Sequence, residues 1–261
     1  MTATQQLKKE HQAVRLALIF LEMLRIQIEN KKTIDVEKFE KLLEFFKIFV
    51  DKCHHGKEEN FLFPELEKAG IPREDGPIGV MLTEHEFGRD YIRIIEENIQ
   101  SYKTKPDENN IKKISEAIKG YVELLEQHIY KENNVLFAMA DIHLPEKLQE
   151  ELFEKFEEFE LKEIGPGKHD EFHRMLDGMR DNLLGKVKIL DVREIPPVQR
   201  HGIILNEFDK LNINESFFLV NDHDPKPLYY QFRAEKEGKF NWEYMISGPI
   251  IWGVKITKAS N

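Results

Sequence analysis

Apolar residues recur every three or four positions along most of the first 184 residues, in stretches rich in Leu, Glu, Lys, Ile and Phe. Short clusters of Gly, Pro, Asn and Asp interrupt them. This period predicts helices over 5–30, 35–66, 77–103, 108–142, 145–162 and 168–184. Pro77, Asp107 and Pro145 stand where a helix start would use them, and Gly70, Gly76 and Gly165 lie in the breaks. From Val187 the pattern shortens into β-rich runs, Lys188 to Val192, Ser216 to Val220, Phe240 to Ile246 and Ile250 to Ile256, with helical periodicity near 197–211 and 225–236. The expected fold is mainly α. It comprises an up-down-up-down four-helix bundle plus two further helices over 1–184, followed by a small βαβαββ two-layer α+β domain over 185–261.

The helical region repeats itself with an offset of 74 residues. His54-His55-Gly56-Lys57-Glu58-Glu59-Asn60-Phe61-Leu62-Phe63 aligns with His128-Ile129-Tyr130-Lys131-Glu132-Asn133-Asn134-Val135-Leu136-Phe137, with six of ten positions identical. Glu10, His11 and Arg15 correspond in the same way to Glu84, His85 and Arg89, while Leu7, Val14, Leu18 and Leu21 correspond to Met81, Gly88, Ile92 and Ile95. Four histidines and two glutamates thus form two equivalent sets.

Spacing places these sets in three dimensions. In an antiparallel helical hairpin, residues equidistant from the turn lie at one height. The midpoint of positions 11 and 54 is 32.5, that of 54 and 85 is 69.5, and that of 85 and 128 is 106.5; all three fall in predicted turns. An up-down-up-down bundle therefore brings His11, His54, His85 and His128 into one layer. The apolar spacing around His11 and His85 turns them inward. Glu58 and Glu132 each follow a histidine by four residues and lie one turn along the same face.

A lone helical histidine is usually a surface residue or a satisfied core residue, but the set is harder to dismiss. Two carboxylates buried side by side repel each other and lose solvation, and a cation removes that penalty. Bundles of this kind assemble paired iron or manganese sites from inward ligands on all four helices. Nitrogen and oxygen donors without thiolate, in a set larger than four, suit iron or manganese better than structural zinc.

Composition narrows the classes further. A formal net charge of -10, with no compact basic stripe, argues against nucleic acid as the partner. The longest apolar run, Leu16 to Leu21, is far too short for a membrane span, and Met1 to Glu10 lacks the layout of a secretory signal, so no membrane association and a cytoplasmic location are expected. The single cysteine, Cys53, cannot form an internal disulfide and rules out thiolate-rich zinc or iron-sulfur sites. It reads as a small buried side chain, since its repeat partner is Gln127.

His11, the His54-His55-x2-Glu58-Glu59-x2-Leu62-Phe63-Pro64 stretch, Glu84-His85-Glu86 and the His128-x3-Glu132-x3-Leu136-Phe137 stretch together resemble the motifs of the hemerythrin-like, or HHE cation-binding, family over about residues 5 to 143. The resemblance implies two non-haem irons, with manganese as the alternative metal, an oxo- or hydroxo-type bridge, and His11, His54, Glu58, His85, His128 and Glu132 as ligands. It implies O2 or NO as the small ligand that is bound or sensed. Oxygen-carrying hemerythrins have a further histidine where this chain has Arg89, and an aspartate one position beyond Glu132. The pattern here is closer to di-iron proteins proposed to repair iron centres after nitric oxide or peroxide stress, whose cysteine-containing N-terminal domain is absent from it. Iron-centre repair, or reduction of peroxide or NO, is therefore the alternative function, and a metal-free interaction bundle is a third.

Several residues stand outside this set. In an α-helix His55 is rotated about 100 degrees from His54, and its repeat partner is Ile129, so an interhelical or supporting role is expected more than ligation. Gly88 faces inward where the other half carries Val14, and it is expected to open one side of the site to a diatomic molecule. Arg15 and Arg89 are expected in salt bridges and His143 at a helix cap. His169 and His173 have a spacing that could bind a metal, but no carboxylate set is repeated around them. The segments Leu190-Asp191-Val192-Arg193, Asn221-Asp222-His223-Asp224-Pro225 and Trp242-Glu243-Tyr244 resemble the TusA/SirA-like two-layer fold. Sulfur transfer is not supported, because no cysteine follows Cys53. His223 reads as a loop-stabilising residue, and the module is expected to bind a protein partner or dock on the bundle.

Overall fold

The first helix starts at a capping box: the Thr2 hydroxyl accepts the Gln5 backbone N–H, and the Gln5 side chain accepts the Thr2 backbone N–H. From there a computed structural model describes residues 1–260 of the chain. Helix α1 runs Ala3–Lys31 and ends on Lys32 in the left-handed conformation. Helix α2 covers 36–68, α3 Pro77–Thr104, α4 108–143, α5 Glu146–Glu163 and α6 Lys168–Leu183. Asp35 and Asp107 cap α2 and α4 by accepting the backbone N–H groups of Lys38 and Asn109, and Pro77 opens α3. Two helices are not α throughout. Phe46–His55 and Glu58–Leu62 in α2, and Glu132–Leu136 in α4, are π-helical.

The chain forms two compact units, Met1–Asp177 and Gly178–Asn261. In the first, the inward row of α1, including Leu7, His11, Val14, Leu18 and Leu21, is buried, and so is the row Met81, His85, Gly88, Ile92 and Ile95 of α3. One apolar cluster joins Leu7, Leu62, Phe63, Met81, Leu136, Phe137, Leu152 and Phe156 across α1 to α5. Burial of aromatic side chains of this size contributes about 1.5–3 kcal/mol each. No helix among the described residues is long and apolar enough to cross a membrane.

In the second unit, β1 (Lys188–Asp191), α7 (Pro197–Lys210), β2 (Ser216–Asn221), α8 (Lys226–Glu235), β3 (Phe240–Ser247) and β4 (Trp252–Lys258) follow in the expected βαβαββ order. The sheet order is β1-β2-β4-β3, parallel between β1 and β2 and antiparallel elsewhere. Helix α7 provides the crossover that a parallel pair requires. Alternate residues Phe217, Leu219, Val254 and Ile256 pack with Ile204 and Phe208 of α7 and Leu228 and Phe232 of α8. Pairing in β4 begins two residues later than expected, because the chain turns from Gly248, whose N–H donates to the Ile251 carbonyl.

Candidate metal centre

Each of the four bundle helices brings one histidine to a common layer: His11 on α1, His54 on α2, His85 on α3 and His128 on α4, all buried. The rings meet in pairs. His11 Nε2 lies 3.0 Å from His54 Nε2, and His85 Nε2 lies 3.2 Å from His128 Nε2. Glu132 spans the pairs, with Oε2 3.1 Å from His11 Nε2 and Oε1 3.1 Å from His128 Nε2. Glu58 spans them from the other side, with Oε1 3.7 Å from His54 Nε2 and Oε2 3.5 Å from His85 Nε2. All six residues singled out by spacing are thus brought together.

The outer nitrogen of every ring is tied down. His54 Nδ1 donates to Glu10 at 2.8 Å and His128 Nδ1 to Glu84 at 3.0 Å, and each carboxylate is in turn held by a lysine, Lys57 or Lys131. His11 Nδ1 donates to Asn133 Oδ1 at 2.8 Å and His85 Nδ1 to Glu59 at 2.7 Å. The His11 ring stacks on Phe137 and the His85 ring on Phe63. Every one of these outer partners obeys the 74-residue offset: Glu10 with Glu84, Lys57 with Lys131, Glu59 with Asn133, Phe63 with Phe137. The repeat was the signal for them, yet it assigns no role, because each contact is made across helices.

With Nδ1 donating in these outer bonds, four Nε2 atoms and two carboxylates face one another in a space without water's dielectric. Burial, reinforced by the Glu132 charge, raises the Glu58 carboxyl well above the ordinary range. Burial opposes ionisation of Glu132 as well, but the His128 charge and the adjacent His11 ring hold it well below that range. Burial lowers His54 to about 4, whereas in His128 the effect of burial is outweighed by Glu132 and Glu84, which raise it to about 9. Outside the site's own rings and carboxylates, none of the four oxygens of Glu58 and Glu132 has a hydrogen-bond partner. Two ligand groups result, His11, His54, Glu58 and Glu132 in one, and His55, Glu58, His85 and His128 in the other, the ligand atoms in each lying within 4.8 Å of one another.

Comparison with known proteins agrees with this geometry. Residues 2–140, more than half of the chain, match the hemerythrin HHE cation binding domain. The chain belongs to the hemerythrin HHE cation-binding family. Residues 189–258 match a family described as an uncharacterized conserved protein (DUF2249). The iron-sulfur cluster repair protein YtfE of Escherichia coli O157:H7 is 33% identical over 88 residues, which make up 33% of this chain and 40% of that protein. Proteins of the same name from Salmonella newport (strain SL254) and Salmonella agona (strain SL483) match to the same extent. The chain therefore spans about two fifths of the length of these curated relatives.

Around the hemerythrin-type centre, the remaining candidates fall into place. His55 is not turned away from the layer as α-helical spacing suggests. The stretch Phe46–His55 is π-helical, a wider turn frequent at functional sites, and the adjacent rings face different pairs, His54 towards His11 and His55 towards His85. Gly88 lines a cavity of about 270 Å³ together with His55, Tyr121, Val50 and Ile92. Cys53 is free and buried, and burial pushes its thiol up to about 12, which makes it unreactive. Arg89 is held by Asp51, Glu59 and Glu86, and Arg15 by Glu126. His169 Nε2 and His173 Nε2 lie 3.0 Å apart, with His169 Nδ1 bonded to Glu160. In the second unit, His223 Nδ1 bonds Asp222, which is also gripped by the buried Arg200.

Proposed function

We propose that the bundle holds two non-haem irons, with manganese as the alternative, joined by an oxo- or hydroxo-type bridge and ligated by His11, His54, Glu58, His85, His128 and Glu132. The pair binds or senses O2 or NO. The observation that carries this reading is the pair of fully buried carboxylates, each reaching both imidazole pairs, whose four oxygens have no hydrogen-bond partner outside the site. Two dications neutralise what burial otherwise penalises. When bound, the irons supply the electrons and an open coordination position for a diatomic molecule.

The chain's own residues do the rest. Glu10, Glu59, Glu84 and Asn133 hold each imidazole by its Nδ1, so that every Nε2 faces inward, where a cation would displace any proton it carries. Phe63 and Phe137 cover the rings against water, and the cavity at Gly88 is the approach for a small molecule.

The second reading is iron-centre repair, which the name of the YtfE relatives favours, or reduction of peroxide or NO on the same site. Metal analysis after anaerobic iron loading, followed by absorption spectra with O2 or NO, tests both. Two irons per chain with a reversible spectral change support binding or sensing; sustained turnover with a reductant, or oxidation with release of iron, supports the second reading. Absence of stoichiometric iron or manganese under all loading conditions overturns both.

The C-terminal unit, read as TusA/SirA-like without the sulfur-transfer cysteine, is proposed to bind a protein partner and to localise or transmit the signal. A cytoplasmic setting suits that role.

A further inference from the structure

His169 and His173 stand four residues apart on α6, so their side chains lie one turn apart on the same helix face. Their Nε2 atoms are 3.0 Å apart, while the ring centroids are 4.8 Å apart and the planes are tilted by 31°. The rings therefore converge at their nitrogens and do not stack. Both meet the same aromatic ring edge-on, Phe49 of α2, with centroids 5.2 and 6.3 Å away.

The convergence has the span of a chelate. Two nitrogens each about 2.1 Å from one cation are about 3.0 Å apart at a right angle and about 3.4 Å apart at the tetrahedral angle. The observed separation is that of two neighbouring ligands in a tetragonal or octahedral shell. Each ring nitrogen carries at most one proton, and at this distance the two Nε2 atoms share only one between them, which a cation replaces.

The other nitrogen of His169 is already committed. Nδ1 lies 2.9 Å from Glu160 Oε1, the pairing with a carboxylate that orients metal-binding imidazoles. Glu160 Oε2 accepts from Lys57 at 2.6 Å, which holds that carboxylate in place. The two histidines line a cavity of about 430 Å³, where the carboxylates of Glu157, Glu160 and Asp170 face the ammonium of Lys9. His173 is exposed and the His169 side chain is 31% exposed, so water can complete a coordination shell.

We propose that His169 and His173 form a separate, exchangeable metal site on the flank of the bundle, a two-imidazole chelate for a late first-row divalent cation such as nickel(II) or copper(II). Both ions prefer the right-angled geometry that the pair presents, and both stand above iron(II) and manganese(II) in affinity for such donors. The pair lies beyond the matched residues 2–140 and shares no ligand with the centre inside the bundle, so it stands or falls apart from the di-metal reading.

The test is calorimetric titration of the iron-loaded, desalted full chain with nickel(II). Wild type is expected to bind one ion more per chain than His169→Gln or His173→Gln, each of which should weaken the added site at least tenfold because a single imidazole does not chelate. This difference is read whatever the bundle holds. Copper(II) at half an equivalent should show electron paramagnetic coupling to two nitrogens in wild type and to one in either variant. Equal nickel binding by all three chains shows adventitious surface binding and overturns the site. Loss in only one variant overturns the chelate, and no added ion in wild type leaves the pair a hydrogen bond only and overturns it as well. The nitrogen count in wild type decides the matter even if a variant does not fold.

Discussion

Replacing Lys57 by methionine tests how the ring of outer residues is held. The Lys57 ammonium is wholly buried, 2.6 Å from Glu10 Oε1 and 2.6 Å from Glu160 Oε2. Burial disfavours its charge, but the Glu10 and Glu160 carboxylates prevail and raise its pKa above the ordinary lysine value. Methionine keeps the apolar stem and removes the cation, leaving two carboxylates facing each other in the interior. Removing one partner of a buried ionic cluster costs about 3–5 kcal/mol. For a unit of 177 residues, Met1–Asp177, that corresponds to a fall in Tm of about 10 °C. Denaturant unfolding of the chelator-treated protein measures it free of any metal contribution. Adding Glu160→Gln to Lys57→Met should recover at least about 1 kcal/mol, because one uncompensated carboxylate is gone. A loss below about 1 kcal/mol, or strict additivity of the two substitutions, would refute the electrostatic account.

The same cluster sets an acid limb. Burial would raise the Glu160 carboxyl, but the His169 hydrogen bond and the Lys57 charge bring it down to about 2 from an ordinary 4.5. A carboxyl depressed in the folded state contributes stability that is complete above the unfolded value and is lost as pH falls through the folded one. Glu160 therefore stabilises the bundle above about pH 4.5, by about 2 kcal/mol after allowance for its partial exposure, and loses this between 4.5 and 2. Lys57→Met should flatten the fall in stability across that window.

Three further outcomes are expected. A Cβ at Gly88 meets Tyr121 Cε2 at 3.6 Å and Leu125 Cδ2 at 3.8 Å, ordinary contacts, so Gly88→Ala should fold; Gly88→Val, which adds two methyl groups to the cavity, should slow reaction with O2 or NO several-fold in stopped-flow spectra without lowering metal content, and unchanged kinetics would remove the cavity as the route. Glu132→Gln should lower the bound metal to one ion or fewer per chain by elemental analysis, because it removes the anionic oxygen that faces each imidazole pair; retention of two ions would show that Glu132 does not bridge. Arg200→Met should destabilise the second unit by about 3 kcal/mol in thermal unfolding, since the guanidinium grips the Asp222 carboxylate, Asn221 Oδ1 and the carbonyls of Arg193 and Ile195; a change under about 1 kcal/mol would show that these bonds exchange freely with water.

The bundle was legible because its signals are local and redundant. Four-three spacing marks the inward faces, and turn residues mark the ends, as Asp107 does by accepting the Asn109 backbone N–H. The equal distances of His11, His54, His85 and His128 from the turns were arithmetic on the numbering, and the four rings do meet. The change of period after Val187 likewise exposed the βαβαββ order. The strand order β1-β2-β4-β3 was not legible, since it is decided by which faces bury together and not by any one strand. The interhelical place of His55, stacked on His85, agrees with its expected role, but no local sequence signal announces that Phe46–His55 winds more widely than an α-helix. Glu10 and Glu84 were visible as a repeated pair, but their hydrogen bonds to His54 and His128 join positions 44 apart in the chain, beyond what helical spacing can report.

The near-symmetry of the site makes its departures from symmetry informative, and these divide between the two sides. On one side, His54 is anchored through Glu10 and Lys57 to Glu160, and Glu160 to His169, so the chain of bonds runs on into α5 and α6, beyond the matched residues 2–140. On the other, His128 is anchored through Glu84 to Lys131, whose side chain is 34% exposed where that of Lys57 is 0% exposed. Hydrogen bonds in a low-dielectric interior are stiffer than bonds that compete with water. The His11 and His54 side is therefore the more rigid one. The cavity, Gly88 in place of Val14, and His55 in place of Ile129 all belong to the His85 and His128 side. A small molecule entering by that cavity meets the half of the centre whose outer support can give way. If the centre opens at all, it should open there, and hydrogen exchange should be faster at the backbone amides of α4 near His128 than at those of α2 near His54.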